Sequence, residues 1–199
     1  MSDVFAAALW SADYSLLLAS NGYSGVNLHG GTGTSVANSV GGSLPGDTLL
    51  RANGATPEQI ASHPHPFYTP IATFGSDYLL QPVAYGLKFA GSFSGGILLK
   101  TDFSAKLRAV GVNATAYPAK LPGGQISVII LNKDASADVE VELDFGRGMR
   151  GAVETETLHA SALDSREAHI TMSTKADSFK QGKYSVVVSR ATGLRLTLI

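Results

Sequence analysis

An α/β segment over residues 1–91, followed by an all-β antiparallel sandwich over 92–199, is the fold class this sequence predicts. Three observations carry it. Apolar residues recur at helical spacing in two early stretches. Strict alternation begins late in the chain, in Asp138-Val139-Glu140-Val141-Glu142-Leu143-Asp144-Phe145. Between them, Gly91-Ser92-Phe93-Ser94-Gly95-Gly96 offers a boundary rich in turn residues.

Residues 2–21 read as an amphipathic helix. Ser2 suits an N-cap, Asp3 favours the positive first turn, and Asn21-Gly22 supplies a left-handed stop. Phe5, Leu9, Ala12, Leu16 and Leu17 mark the buried face, with Trp10 broadening it and Asp13 on the surface. The run Gly25-Val26-Asn27-Leu28-His29 reads as a short strand closed by Gly30-Gly31, completing one αβ step. Residues 30–66 are rich in Gly, Ser, Thr, Asn and Pro. One helical turn is expected there, at Thr56-Pro57-Glu58-Gln59. A connection of this length in a compact domain points to a lid or a mobile segment. A second helix is predicted from Tyr78 to Ala90, with Pro82 near its start.

Beyond residue 96 the signal is of strands. Ser127-Val128-Ile129-Ile130-Leu131 is a continuous apolar run that fits a strand buried on both faces. In 138–145 the alternation places Val139, Val141, Leu143 and Phe145 inward and four acids outward. Further strands are expected at 97–101, 107–117, 152–159, 168–173, 183–189 and 194–199. Short strands separated by turn residues suggest the sandwich.

Composition excludes several functions. Fifteen basic and 16 acidic side chains give a net charge of −1. No basic cluster exists to hold a polyanion, so nucleic acid is not an expected partner. Cysteine is absent, which removes disulfides, thiolate metal sites and thiol nucleophiles. The N-terminus does not read as a signal peptide: Met1-Ser2-Asp3 carries no basic region, and no small-residue cleavage site follows an apolar core. Apolar stretches are broken well short of a membrane span, so a soluble chain without membrane association is expected. No cofactor motif is present: the Gly-rich 30–46 stretch lacks the Gly-Lys-Ser/Thr ending of a phosphate loop.

Four motifs in order carry a family resemblance: Ser2-Asp3-Val4-Phe5-Ala6-Ala7-Ala8-Leu9-Trp10, Gly25-Val26-Asn27-Leu28-His29-Gly30-Gly31, Tyr68-Thr69-Pro70-Ile71, and Pro82-Val83-Ala84-Tyr85-Gly86-Leu87-Lys88-Phe89. Together they resemble the C-terminal portion of glycoside hydrolase family 79, which includes β-glucuronidases and heparanase. The resemblance implies an α/β fragment of a (β/α)8 barrel followed by an all-β antiparallel sandwich, so residues 1–91 would be its last βα units with a long insertion at 32–66. It implies a retaining mechanism with two glutamates roughly 5–5.5 Å apart, one acid/base and one nucleophile. By the family's spacing the nucleophile lies about a dozen residues before Ser2, and the acid/base earlier still. Neither falls within this sequence, so no catalytic residue is assigned and the chain alone is expected to be inactive.

The resemblance assigns two substrate-binding residues. His29 would end the last barrel strand, on the face where barrel active sites lie. It reads equally as hydrogen-bonded scaffolding. Tyr68 matches a tyrosine that helps hold the sugar carboxylate. Two departures leave the sugar unassigned: Phe67 stands where the family has glycine, and 32–66 intervenes before Tyr68. The implied ligand is a uronic-acid-containing glycoside, bound once a barrel half completes the site. An isolated barrel piece exposes strand edges and apolar helix faces, which predicts a homo-oligomer or a complementing N-terminal chain.

Other groupings have plain explanations. His63-Pro64-His65-Pro66 lacks a nearby carboxylate, so no metal site is assigned. The acids of 138–144, with Glu154 and Glu156, read as a solvated outer face. The alternative function is a non-catalytic carbohydrate-binding or structural sandwich. It requires exposed aromatics for sugar stacking, and the sheet region offers few: Phe103, Tyr117, Phe145, Phe179 and Tyr184.

Overall fold

The computed structural model describes residues 4–28, 70–74, 77–101, 103, 111–146, 151–173, 177–179 and 182–199. Helix α1 spans Phe5–Ser20. It buries Phe5, Ala8, Leu9, Ala12 and Leu16 along one stripe. Two side chains expected on that stripe leave it: Trp10 is 38% and Leu17 47% exposed. Trp10 instead stacks on Tyr14, one turn on, with ring centroids 5.1 Å apart. At 100° per residue, positions 10, 14 and 17 follow one another down the far side from Leu9 and Leu16.

The start of α1 also differs from expectation. The helix opens after Val4, which caps it without a side-chain bond. The first free N–H groups are satisfied by a distant loop: Phe5 N–H donates to the Ser165 carbonyl at 2.7 Å, and Ala6 N–H to Leu163 at 2.9 Å. Ser2 and Asp3 lie outside the described residues. The stop is as read. Gly22 has φ +83°, and the N–H groups of Gly22 and Tyr23 return to Ala19 and Leu18, a Schellman ending.

Gly25–Leu28 forms no strand, which corrects the expected αβ step. A barrel strand is held by strands on both sides, and none of the described strands pairs with it. The second helix also starts later than predicted. Ile71–Phe74 (β1) and Asp77–Leu80 (β2) pair antiparallel, Ile71 opposite Leu80. Gln81 N–H donates to the Pro70 carbonyl at 2.9 Å, closing the base of this hairpin. Helix α2 then runs Pro82–Gly91, with proline at its first position, where its fixed φ and missing N–H cost nothing.

The remaining strands are β3 Ile97–Leu98, β4 Ala114–Lys120, β5 Ile126–Asn132, β6 Val139–Asp144, β7 Gly151–His159, β8 His169–Met172, β9 Asp177–Phe179, β10 Lys183–Val188 and β11 Thr192–Leu198. A seven-stranded sheet has the order β3-β4-β5-β11-β7-β8, with β9 also on β7; β6 and β10 form a separate pair. Every pairing is antiparallel. Strand β4 runs through Pro118, past the expected end at 117. Leu99 N–H donates to the Pro118 carbonyl, so residue 118 turns its backbone groups toward β3, away from β5. The missing N–H therefore removes no bond from the β4–β5 ladder.

Two cores follow from the alternation of strand side chains. On one face of the large sheet, Tyr117, Ala119, Ile129, Leu131 and Leu158 meet Phe5, Leu9, Leu16, Phe89 and Phe93. On the other, Ala116, Val128, Ile130, Val153, Leu194 and Leu196 meet Val139, Val141, Tyr184 and Val188 of the β6–β10 pair. Strand β5 lies between these cores, buried on both faces as its unbroken apolar run predicts. Glu140, Glu142 and Asp144 point outward as expected.

Candidate functional site

The two residues singled out for substrate binding, His29 and Tyr68, lie outside the described residues, as do His63, His65, the 32–66 insertion and the turn at 56–59. The described polar centres are elsewhere, and the largest joins α1 to the sheet.

Asp13 follows Leu9 by four residues and precedes Leu16 by three, so it flanks the buried stripe. A carboxylate at such a position needs partners. It has three. Thr115 donates its hydroxyl to Asp13 Oδ1 at 2.5 Å, and Tyr117 OH reaches the same oxygen at 2.7 Å. Lys133 Nζ donates to Oδ2 at 2.5 Å. The pair is largely covered, with 20% and 19% of the two side chains exposed. Asp13 is therefore an anchor, which corrects its expected place on the helix surface or cap. Both oxygens are engaged, leaving this carboxylate poorly suited to act as an acid or nucleophile.

Beside it, a cleft of about 470 Å³ opens between the end of α1 and residues 98–101, lined in part by Leu17, Ser20, Lys100 and Thr115. A second cleft of about 470 Å³ holds Phe103, Phe145, Thr101, Glu142 and Asp144. Other acids have structural partners. Lys183 bonds Glu142 at 2.6 Å, and this contact raises the lysine above its ordinary value. Asp134 accepts from Ser136 N–H, the Ser136 hydroxyl and Ala137 N–H, which hold it below the usual carboxylate value. Glu156, expected on the solvated face, stands opposite Arg195 in the sheet. Its Oε2 lies 2.6 Å from Arg195 Nη2, close in charge but out of line for a hydrogen bond. Among the described residues, no group of three or more His, Cys, Asp or Glu is placed to hold a metal ion.

Gln81 is different in kind. It caps α2, is 2% exposed, and among the described residues neither its Nε2 nor its Oε1 has a hydrogen-bond partner. Sequence gave no sign of this beyond a polar residue before an N1 proline.

No family model matches the chain, and no curated protein does. Solved structures do match, and they are glycoside hydrolases. The GH51 arabinofuranosidase of Xanthomonas axonopodis pv. citri superposes with TM-score 0.51 at 16% identity, over 67% of this chain and 29% of that one. The α-L-arabinofuranosidase of Thermotoga maritima, solved with arabinose, gives 0.52 at 11% identity over 69% and 33%. A further arabinofuranosidase gives 0.52 at 11% identity over 67% and 34%. The chain thus spans about a third of the length of these enzymes. At such identities the likeness is one of fold: two helices on antiparallel sheets, in the form that part of a glycoside hydrolase takes.

Proposed function

We propose that this chain is the C-terminal part of a retaining glycoside hydrolase of the family 79 type, with residues 1–91 as barrel units and the two facing sheets as the β-sandwich. The observation that carries the reading is the fold likeness to glycoside hydrolases, joined to the four motifs spread over residues 2–89. The chain lacks both catalytic glutamates, and hydrolysis of a uronic-acid-containing glycoside requires a barrel half to supply them. His29 and Tyr68 would contribute to the sugar site.

The partner is a complementing N-terminal chain or a second copy of this one. An exposed apolar row on α1, Trp10, Tyr14 and Leu17, supports that, since contiguous apolar surface of this kind favours association. The test is hydrolysis of an aryl β-glucuronide, with light scattering alongside. The purified chain is expected to associate and to show no turnover. Turnover by the chain alone, or a monomer at every concentration, would overturn the respective half of the proposal.

A second reading, a carbohydrate-binding sandwich, draws support from the cleft that places Phe103 and Phe145 beside Thr101, Glu142 and Asp144. Tyr117 and Tyr184 are buried and offer no platform. Saccharide titration followed by tyrosine and tryptophan fluorescence separates the two: saturable binding with no turnover, lost in Phe145→Ala, favours the module.

A further inference from the structure

His159 and His169 face each other across β7 and β8, as the last register pair of that ladder. Their ring centroids are 5.7 Å apart. Both belong to the face opposite Leu158 and Ile170, which point into the helix-side core. His169 is well exposed, with 56% of its side chain accessible. We propose that this pair is a two-imidazole site for a divalent transition-metal ion, with water completing the coordination, and that the ion steadies the loop the pair closes.

Geometry supports the first half. Imidazole nitrogen binds zinc at about 2.0–2.1 Å, which sets each ring centre roughly 3.2 Å from the ion and two tetrahedrally placed rings about 5.2 Å apart. The observed 5.7 Å is about half an ångström wider, a gap that small rotations of an exposed ring on an edge strand can close. Each ring also has an oxygen partner at the nitrogen not needed for the metal. His159 Nε2 is 2.9 Å from the Thr171 hydroxyl, and His169 Nε2 is 3.6 Å from Glu167 Oε2. Outer partners of this kind orient metal-binding histidines, and with each Nε2 facing an oxygen, Nδ1 of each ring is the nitrogen left for the ion. Imidazole ligands without thiolate select zinc, copper or nickel over magnesium or calcium.

The second half follows from position. The pair closes the neck of residues 160–168, and that loop supplies the carbonyls of Leu163 and Ser165 that receive the first N–H groups of α1. An ion bridging the neck restrains the loop, and with it the cap. This inference is independent of the hydrolase reading.

The experiment is a Zn2+ titration of the full chain, read by calorimetry and by the ring C–H resonances of the histidines. Expected are one ion per chain, shifts at both His159 and His169, and slower hydrogen exchange at the Phe5 and Ala6 amides. His169→Ala, at an exposed position, should abolish binding, and Thr171→Val should weaken it by about tenfold or more. Binding unchanged in His169→Ala, with the ion on His29, His63 or His65, would overturn the site. No saturable binding would do the same. Binding without change in Phe5 and Ala6 exchange would overturn the coupling to α1.

Discussion

Replacing Gly86 with alanine tests how closely α1 and α2 must approach. A Cβ at this position would sit 2.0 Å from the Ala8 carbonyl oxygen, 2.2 Å from Ser11 Oγ and 2.8 Å from the Ala8 carbonyl carbon. The serine can turn away, but the Ala8 carbonyl is helix backbone and cannot. The helices must therefore separate by on the order of 1 Å, a distance close-packed interiors resist. Overpacking of this sort costs about 1–3 kcal/mol, and a rigid backbone neighbour puts it at the upper end. Ser11, 1% exposed, would also lose its bond to the Val83 carbonyl at 3.1 Å, for about 1 kcal/mol more. Against this, alanine gains about 1 kcal/mol of helix propensity over glycine. The net loss is about 3 kcal/mol.

For a chain of this size that lowers Tm by roughly 6–12 °C. Thermal melts and urea titrations of Gly86→Ala measure it, with the midpoint falling and the slope m unchanged. Gly91→Ala is the control, because an added Cβ there meets nothing within 4 Å, and it should be neutral or slightly stabilising. Adding Ser11→Ala to Gly86→Ala removes only the movable neighbour, so most of the loss should remain. A Tm for Gly86→Ala at or above that of the parent would refute the close approach.

Asp13→Asn should cost about 1–2 kcal/mol, because Lys133 loses a charged partner in a largely covered setting; a double-mutant cycle with Lys133→Met isolates the pair. Gln81→Met, which removes two buried polar atoms that are unpaired among the described residues at similar volume, should raise stability by about 1 kcal/mol. A drop in its urea midpoint would show that Gln81 has a polar partner. Asp134 contributes on the acid side. Its carboxyl is held below the ordinary value of 3.8, so its contribution is complete above that value and disappears as pH falls through the lowered one. Asp134→Asn should flatten the acid limb of the stability profile, and an identical limb would contradict the turn geometry.

What sequence revealed here depended on whether a residue's surroundings are local. Strand β6 was legible because alternation states which side chains face the core, and β5 because a short unbroken apolar run needs cover on both faces. The β1–β2 hairpin was not: Tyr78 to Leu80 lead directly into helical residues, and only pairing with Ile71–Ala72-Thr73 makes them extended. Trp10 shows the limit of hydrophobicity as a guide, since its apolar ring stacks on Tyr14 instead of entering the core. Asp13 was placed correctly on the helix, but its three partners lie 102 to 120 residues away, beyond any local pattern. His159 and His169 each fell within an expected strand. Their meeting depends on the hairpin register, which sequence periodicity alone does not supply. His29 and Tyr68 rested on resemblance, and both lie outside the described residues.

The helices are fastened to the sheet on one side by unlike devices. Phe5, Leu9 and Phe89 share a core with Ile129 and Leu131, the 160–168 loop caps α1, and Asp13 bonds β4 and Lys133. Gly86 then locks α2 against α1. The far side of α1, with Trp10, Tyr14 and Leu17, has no part in these contacts. A helix held at so many points does not need a partner to order it. Under the hydrolase reading, completion of the barrel would therefore be docking onto a preformed helix pair, free of the ordering cost that a segment folding on contact must meet. That distinction is measurable. The chain alone should show full α1 helicity by circular dichroism and protected Leu9 and Ala12 amides, and neither should change when a barrel half binds. A gain of helicity on binding would mean that the sheet-side contacts are too weak to hold α1, and the fastening inferred from Asp13 and Gly86 would fail with it.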